Sequence, residues 1–397
     1  MLSGLRFSTI LYLFKSSFIY LIMSIILATP PSLALTASDF FASDLCTVNS
    51  TIKKVCLNDT ISKLGTCYED SCCTSFETAT SWHYRIAQGS HVVFSCLGII
   101  VIAIYVLKYA SKHMLPTNVR VLVSIMLLLM FAHSIDMIMI HVYHISKSFQ
   151  AIATIPCSVR VQVSFCALFR YTFSFCTLGL AFCQYCLYID RLFCALYNNY
   201  SKYQDVIQYV LVLKWISMTA GIIVWVYREE DSDSYLLSCL NIPLDSMVDL
   251  SFVTAAVFPI NIVCCFLSVI MFRHFKKKEN RTRFELNSHF TAAVDVESSE
   301  FLYIVTISQA IFIVIYPVLS LSMRFFYEDT PRPLHLTFAT LSYVFSIYCF
   351  VIPFVMIDYG RKRDDTRRTR IWSHVKLKSV GAEGADNYFG MMKSQWE

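Results

Sequence analysis

The sequence predicts an all-α membrane protein, a seven-transmembrane helix bundle with a small Cys-rich N-terminal extracellular segment. Three observations predict it. Of 397 residues, 56% are hydrophobic and only 15% charged, against about 25% charged in a soluble domain, and mean hydropathy is +0.54. Seven apolar runs follow residue 85, each near the roughly 20 residues that cross a bilayer. Lys and Arg concentrate on alternate connections between those runs. The 31 Phe and 23 Tyr against ten Gly and ten Pro exclude disorder and low-complexity scaffolds. A water-soluble enzyme would leave this apolar mass exposed, and a net charge of +5 is too small to call for nucleic acid.

The chain opens on an apolar stretch, Phe7 to Ala28, preceded by Arg6, interrupted by Lys15 and followed by the small residues Ser32, Ala34 and Ala37. Residues 1–37 therefore read as a signal peptide or an uncleaved signal anchor. Either places residues 38–88 outside the cell. That polar segment holds Cys46, Cys56, Cys67, Cys72 and Cys73, with glycosylation sequons at Asn49 and Asn58. Clustered Cys and sequons together indicate an oxidised, glycosylated exterior.

The spans are expected at 89–109, 118–142, 164–188, 205–227, 248–272, 300–325 and 335–358, so that the bundle occupies 89–359. One set of connections carries Lys108, Lys112, Arg191, Lys202 and a run from Arg273 to Arg283; the tail, 360–397, adds Arg361, Lys362, Arg363, Arg367, Arg368 and Arg370. The opposite set carries scattered bases such as Lys147, Arg160, Arg228 and Arg332, with Arg228 offset by Glu229, Glu230, Asp231 and Asp233. Cytoplasmic loops retain Lys and Arg, so the N-terminus lies outside and the C-terminus inside. The inner sequons at Asn199 and Asn280 should then stay unmodified.

Ionisable groups within spans default to functional hypotheses. Asp136 in the second span and Arg170 in the third lie at similar outer depth, and a pair between them is expected. His133 is one turn below Asp136, and Arg170, Phe173, Thr177 and Gln184 follow helical spacing on one face. Two readings stand: these residues line a ligand cavity, or an internal ion pair simply joins the second and third helices. Lys214 in the fourth span reads as a snorkelling or interhelical contact. Pro259, Pro317 and Pro353 each remove a backbone donor and permit a kink on which a helix can pivot, although proline is also common in membrane helices.

The third span ends Gln184-Tyr185-Cys186-Leu187-Tyr188-Ile189-Asp190-Arg191-Leu192-Phe193. The Asp190-Arg191 pair resembles the acid-Arg-aromatic signature of G-protein-coupled receptors; an interfacial charge pair with snorkelling stems is the plainer reading. Cys166 stands 25 residues before Arg191, which is ~37 Å along a helix and similar to the third helix of such receptors. That resemblance implies a disulfide from Cys166 to Cys239 in the second extracellular loop, with Cys157 competing for the same partner.

The stretch from Gln184 to Tyr197, centred on Ile-Asp-Arg-Leu-Phe-Cys-Ala, is similar to the third helix of nematode serpentine chemoreceptors of the alpha class (Sra) or near relatives such as Srab. Arg281-Thr282-Arg283-Phe284, Ile307-Ser308-Gln309 and Val351-Ile352-Pro353-Phe354 ahead of a basic tail agree with it. The similarity covers roughly residues 85–370, with the Cys-rich segment and leader outside it. It implies a chemosensory receptor in the plasma membrane of a sensory neuron, a small-molecule or peptide ligand, and a heterotrimeric G protein engaged by Asp190 and Arg191. The basic inner face also suits anionic lipid headgroups. Departures from the rhodopsin-like pattern are plain: Val314 and Ile315 stand where a Cys-Trp switch is expected, Leu128 stands near the usual sodium-site Asp, and no Asn precedes Pro353.

Other classes fit less well. Metalloprotease, nucleophile-elbow and phosphate-loop motifs are missing from the sequence, and the ten histidines are scattered, so neither enzyme, metal nor cofactor is expected. A transporter would show internal repeats and Gly-broken helices. A scaffold reading rests on the short ectodomain alone.

Overall fold

A computed structural model describes residues 63–110, 115–151, 156–197, 200–241, 244–281, 286–325, 331–375 and 382–396. Segment 1–37, with Asn49 and Asn58, lies outside the described residues. Helix α1 spans Lys63–Thr80 and ends at Ser81, whose extended backbone and side chain cap α2, Trp82–Lys108, by accepting from the Tyr84 N–H at 3.3 Å. The first span therefore begins before residue 89: Tyr84, Ala87 and Gln88 are buried, and their packing keeps this more polar turn helical.

Helices α3 (Thr117–Gln150), α4 (Val163–Leu196), α5 (Tyr200–Val226), α6 (Leu244–Arg281) and α7 (Leu286–Phe325) follow. The seventh span is split into α8 (Arg332–Leu341) and α9 (Phe345–Val375) by a non-helical turn at 342–344. Helix α10 covers Ala382–Trp396. Among the described residues, seven helical segments are long and apolar enough to cross a membrane, α8 and α9 together making the last. The chain is an integral membrane protein. Helices α4, α6 and α7 run beyond the expected spans at the end of the bundle that holds Asp190 and Arg191, where charged residues pair between helices.

Helices α2 to α5 pack consecutively, α6 packs on α7 and on α4, and α9 lies against α2, so the first and last spans meet. Ile102, Leu122, Met126, Met130, Leu180, Phe301, Tyr348 and Ile352 fill the interior. Two glycines permit close approach. A Cβ at Gly98 would lie 3.2 Å from the Cys349 carbonyl, and one at Gly179 would lie 3.1 Å from the Trp215 ring. Trp215 instead donates its indole N–H to the Gly179 carbonyl at 2.7 Å. Ile100, Ile104, Leu107, Val206, Phe266 and Ile270 are exposed, as lipid-facing residues should be where the solvent is itself apolar.

Pro259 lies inside α6 and Pro353 inside α9, while Pro317 falls within the helical run of α7. Lys214 is exposed on α5, away from the bundle interior.

Candidate functional site

At the end of the bundle where α4 begins, a short antiparallel ribbon joins β1, Val161–Gln162, to β2, Tyr235–Leu236. It brings the loop after α5 over the bundle, where Cys239 is disulfide-bonded to Cys166 at the start of α4. His144 of α3 accepts from the Cys239 N–H at 3.0 Å. Cys157 takes a different partner from the one considered above: it is bonded to Cys72 of α1, which ties the N-terminal helix to the connection between α3 and α4.

Arg170 corrects an expectation. It does not pair with Asp136. Its guanidinium makes an ion pair with Glu230 of the loop, donates to the Asn241 carbonyl at 3.4 Å and stands 5.6 Å over the Tyr227 ring. Cys166 and Arg170, one helical turn apart on α4, thus hold the same loop twice, by sulfur and by charge. Equal depth on neighbouring helices was an insufficient guide, since the loop folds back and offers a carboxylate from outside the span.

Asp136 is buried, and its Oδ2 has no hydrogen-bond partner among the described residues. One turn away, His133 is wholly buried; its Nε2 is 3.3 Å from the Tyr343 hydroxyl, whereas its Nδ1 is unpartnered. Phe173 packs on both, with ring centroids 5.4 Å from His133 and 4.9 Å from Tyr343. Tyr316 of α7 closes the far side, 6.0 Å from Tyr343. Thr177 belongs to this face by spacing, yet its hydroxyl donates back to the Phe173 and Ser174 carbonyls. Gln184 is buried deeper along α4 with its carbonyl oxygen unpartnered.

Tyr343 reaches this place because the seventh span breaks. A broken helix in hydrocarbon leaves backbone groups to be satisfied by the protein itself. His91 of α2 does this: one ring nitrogen is 2.8 Å from the Thr340 carbonyl and the other 3.1 Å from the Ser346 hydroxyl. His91 in turn stacks on His141 at 4.9 Å, and neither nitrogen of buried His141 has a partner among the described residues. Neither His91 nor the break carries a local signal such as Pro or Gly, so sequence reasoning passed over both. Among the described residues, no group of three His, Cys, Asp or Glu is placed to hold a metal ion.

At the opposite end of the bundle, where α4 finishes, Asp190 and Arg191 are both buried. Two guanidinium nitrogens of Arg191 approach one Asp190 oxygen at 2.8 and 3.1 Å. Its Nη1 lies 3.5 Å from Asp295 and 3.3 Å from the Ser298 hydroxyl, both on α7. The other Asp190 oxygen accepts from Tyr200 at 2.5 Å and Asn118 at 3.0 Å. Lys278 of α6 reaches Asp295 at 4.0 Å. Three other helices, α3, α5 and α7, therefore meet on two adjacent residues of α4, and α6 joins them through Asp295. A second knot sits beside it, where Glu297 of α7 takes Arg363 at 3.4 Å and Arg367 at 3.2 Å from α9. Asp295 and Glu297 lie just ahead of the span expected at residue 300; acidic residues beside the Lys- and Arg-rich connections were the available signal for them.

Seven membrane-crossing helices, the third stapled at one end to the loop that follows the fourth and carrying a buried Asp-Arg pair at its other end, have the architecture of a seven-transmembrane receptor. The family model described as "Serpentine type 7TM GPCR chemoreceptor Sra" matches residues 68–396, and the chain belongs to that family of serpentine chemoreceptors. Serpentine receptor class beta-18 of Caenorhabditis elegans is 57% identical over 363 residues, 91% of this chain and 100% of the relative. Class beta-17 of the same organism is 24% identical, covering 83% and 92%; class alpha-28 is 25% identical, covering 62% and 72%. The alpha-class resemblance is thus right for the family, while the relative at 57% identity is of class beta. The match also reaches beyond residues 85–370 at both ends, taking in Cys72 and the tail. The family is one of receptors, not of enzymes.

Proposed function

We propose that this chain is a class-beta-like serpentine chemoreceptor of the plasma membrane of a sensory neuron. In this reading residues 1–37 are a leader or anchor, 38–88 face outside with glycans on Asn49 and Asn58, 89–359 form the bundle, and 360–397 lie in the cytoplasm. A small-molecule or peptide ligand enters the outer half, where His133, Asp136, Arg170 and Phe173 stand; Arg170 acts there by holding the loop, and Thr177 by shaping the wall. A heterotrimeric G protein docks at the inner end, beside anionic lipids drawn to the basic tail. Pro259, Pro317 and Pro353 serve as pivots.

One observation carries the coupling half: the 3.5 Å contact of Arg191 with Asp295 across α4 and α7. While it persists, the inner end of α7 is held against α4. A ligand favours the open arrangement only through tighter binding to it, so the latch sets what that binding must overcome. Breaking the latch from the α7 side removes the charge on α7 that holds Arg191, leaving the Ser298 hydroxyl as its contact there, and so favours release toward a partner without any ligand.

The test uses cells carrying a second-messenger reporter and matched surface expression. Asp295→Ala should raise ligand-independent signalling, and adding Arg191→Ala should return it to the level of untransfected cells. Unchanged basal signalling in Asp295→Ala, with the protein at the surface, would leave the transporter or scaffold reading in its place.

A further inference from the structure

The outer half contains a carboxyl group that the protein itself leaves unanswered. Asp136 is 5% exposed, and its Oδ2 has no hydrogen-bond partner among the described residues. Arg170, the cation nearest in depth, is committed to Glu230. Arg85 at the mouth is spent on the Ser148 side chain and carbonyl at 3.0 and 2.8 Å, and Lys147 on the carbonyls of Ser158 and Arg160. A buried carboxylate without a counter-charge is strongly unfavourable in such surroundings.

An aromatic cluster adjoins Asp136. Tyr343 lies within electrostatic reach of it and packs, tilted, on Phe173 and His133 at 4.9 and 6.0 Å. Aromatic faces attract cations through the ring quadrupole, most strongly where water is excluded. His133 adds an unpartnered ring nitrogen on the same helix. The loop above is acidic as well: Glu229, Asp231 and Asp233 are exposed there, which raises the local concentration of cations and disfavours anions.

We infer that the ligand bound beside Asp136 is a small organic cation, a protonated amine whose ammonium pairs with Asp136 while its apolar body lies among Phe173, Tyr343 and Tyr316. The inference rests on reading this half of the bundle as the ligand site, and it adds the chemical class. A neutral odorant would leave Asp136 unanswered, and a carboxylate would face it with a like charge.

The test uses the full chain in lipid nanodiscs and two matched probe sets: phenethylamine, phenethyl alcohol and phenylacetate; then hexylamine, hexanol and hexanoate. The readout is the thermal unfolding midpoint against probe concentration, since a ligand that binds the folded state raises it. At least one amine should raise the midpoint at concentrations where its alcohol and carboxylate partners do not. Asp136→Asn should weaken that amine by at least roughly tenfold, as truncation of a buried charge pair does, and Asp136→Glu should retain most of the effect. The conservative pair keeps the test valid even where one variant folds poorly. Equal stabilisation by amine and alcohol, undiminished amine binding in Asp136→Asn, or no amine binding at all would each overturn the assignment. Because the readout needs no G protein, its failure is separable from failure of coupling. Alcohol or carboxylate binding that is lost in Phe173→Ala would keep the site and remove the cation; the same binding unaffected by Phe173→Ala would remove both.

Discussion

Arg170 of α4 is ion-paired with Glu230 in the loop that follows α5, and both side chains are buried, at 1% and 5% exposure. Removing one member of a buried pair strands the other charge, which costs about 3–5 kcal/mol. Arg170→Ala and Glu230→Ala should each lower the thermal midpoint of the purified protein, whereas the exchange Arg170→Glu with Glu230→Arg should recover part of the loss. Additive losses in the exchanged double variant would argue against a direct pair.

The disulfide from Cys166 to Cys239 anchors the same loop, so sulfur and charge support one another. Breaking a disulfide of this kind costs about 2–4 kcal/mol. Cys166→Ser should therefore expose the loop to protease, and Cys166→Ser combined with Glu230→Ala should do so more than either alone. Mass mapping of the unreduced protein should return Cys72–Cys157 as the second linkage.

Gly98 faces the Cys349 carbonyl, where an added Cβ would sit at 3.2 Å against backbone that has no rotamer to change. Gly98→Ala should separate α2 from α9 and destabilise the bundle by about 1–3 kcal/mol, the usual range for overpacking. Gly221 has open space where a Cβ would go, so Gly221→Ala is the control and should be neutral or slightly stabilising. Thermal midpoints of the two variants in the same nanodiscs decide it.

Tyr200 donates to Asp190 at 2.5 Å, and Asn118 adds a second donor at 3.0 Å. Hydrogen bonds to a charged group contribute roughly 1.5–3 kcal/mol each. Tyr200→Phe should loosen Asp190 without removing charge and raise basal signalling in the reporter cells, by less than Asp295→Ala does. A Tyr200→Phe variant indistinguishable from wild type in signalling would confine this contact to folding.

The outer and inner sites differ in how far a linear reading reaches. Asp190 and Arg191 are neighbours in the chain, and their place at the inner end of a span follows from counting residues. Their partners Asn118, Tyr200 and Asp295 come from three other helices, each rotated by its own packing. Asp136 illustrates the same boundary. Its depth follows from its distance along α3, but its isolation depends on Arg170 turning toward a loop residue that hydropathy treats as solvent-exposed.

What the sequence determined unaided is the number of crossings, their order and the uneven distribution of Lys and Arg between the two sets of connections. These follow from length, apolarity and charge, which act residue by residue against a bilayer of fixed thickness. The disulfide partner of Cys157, the pairing of Arg170 with Glu230, the break at 342–344 that brings Tyr343 inward, and the latch onto Asp295 were decided only in three dimensions. Each depends on which faces of separate helices meet, and no local window of sequence carries that rotation.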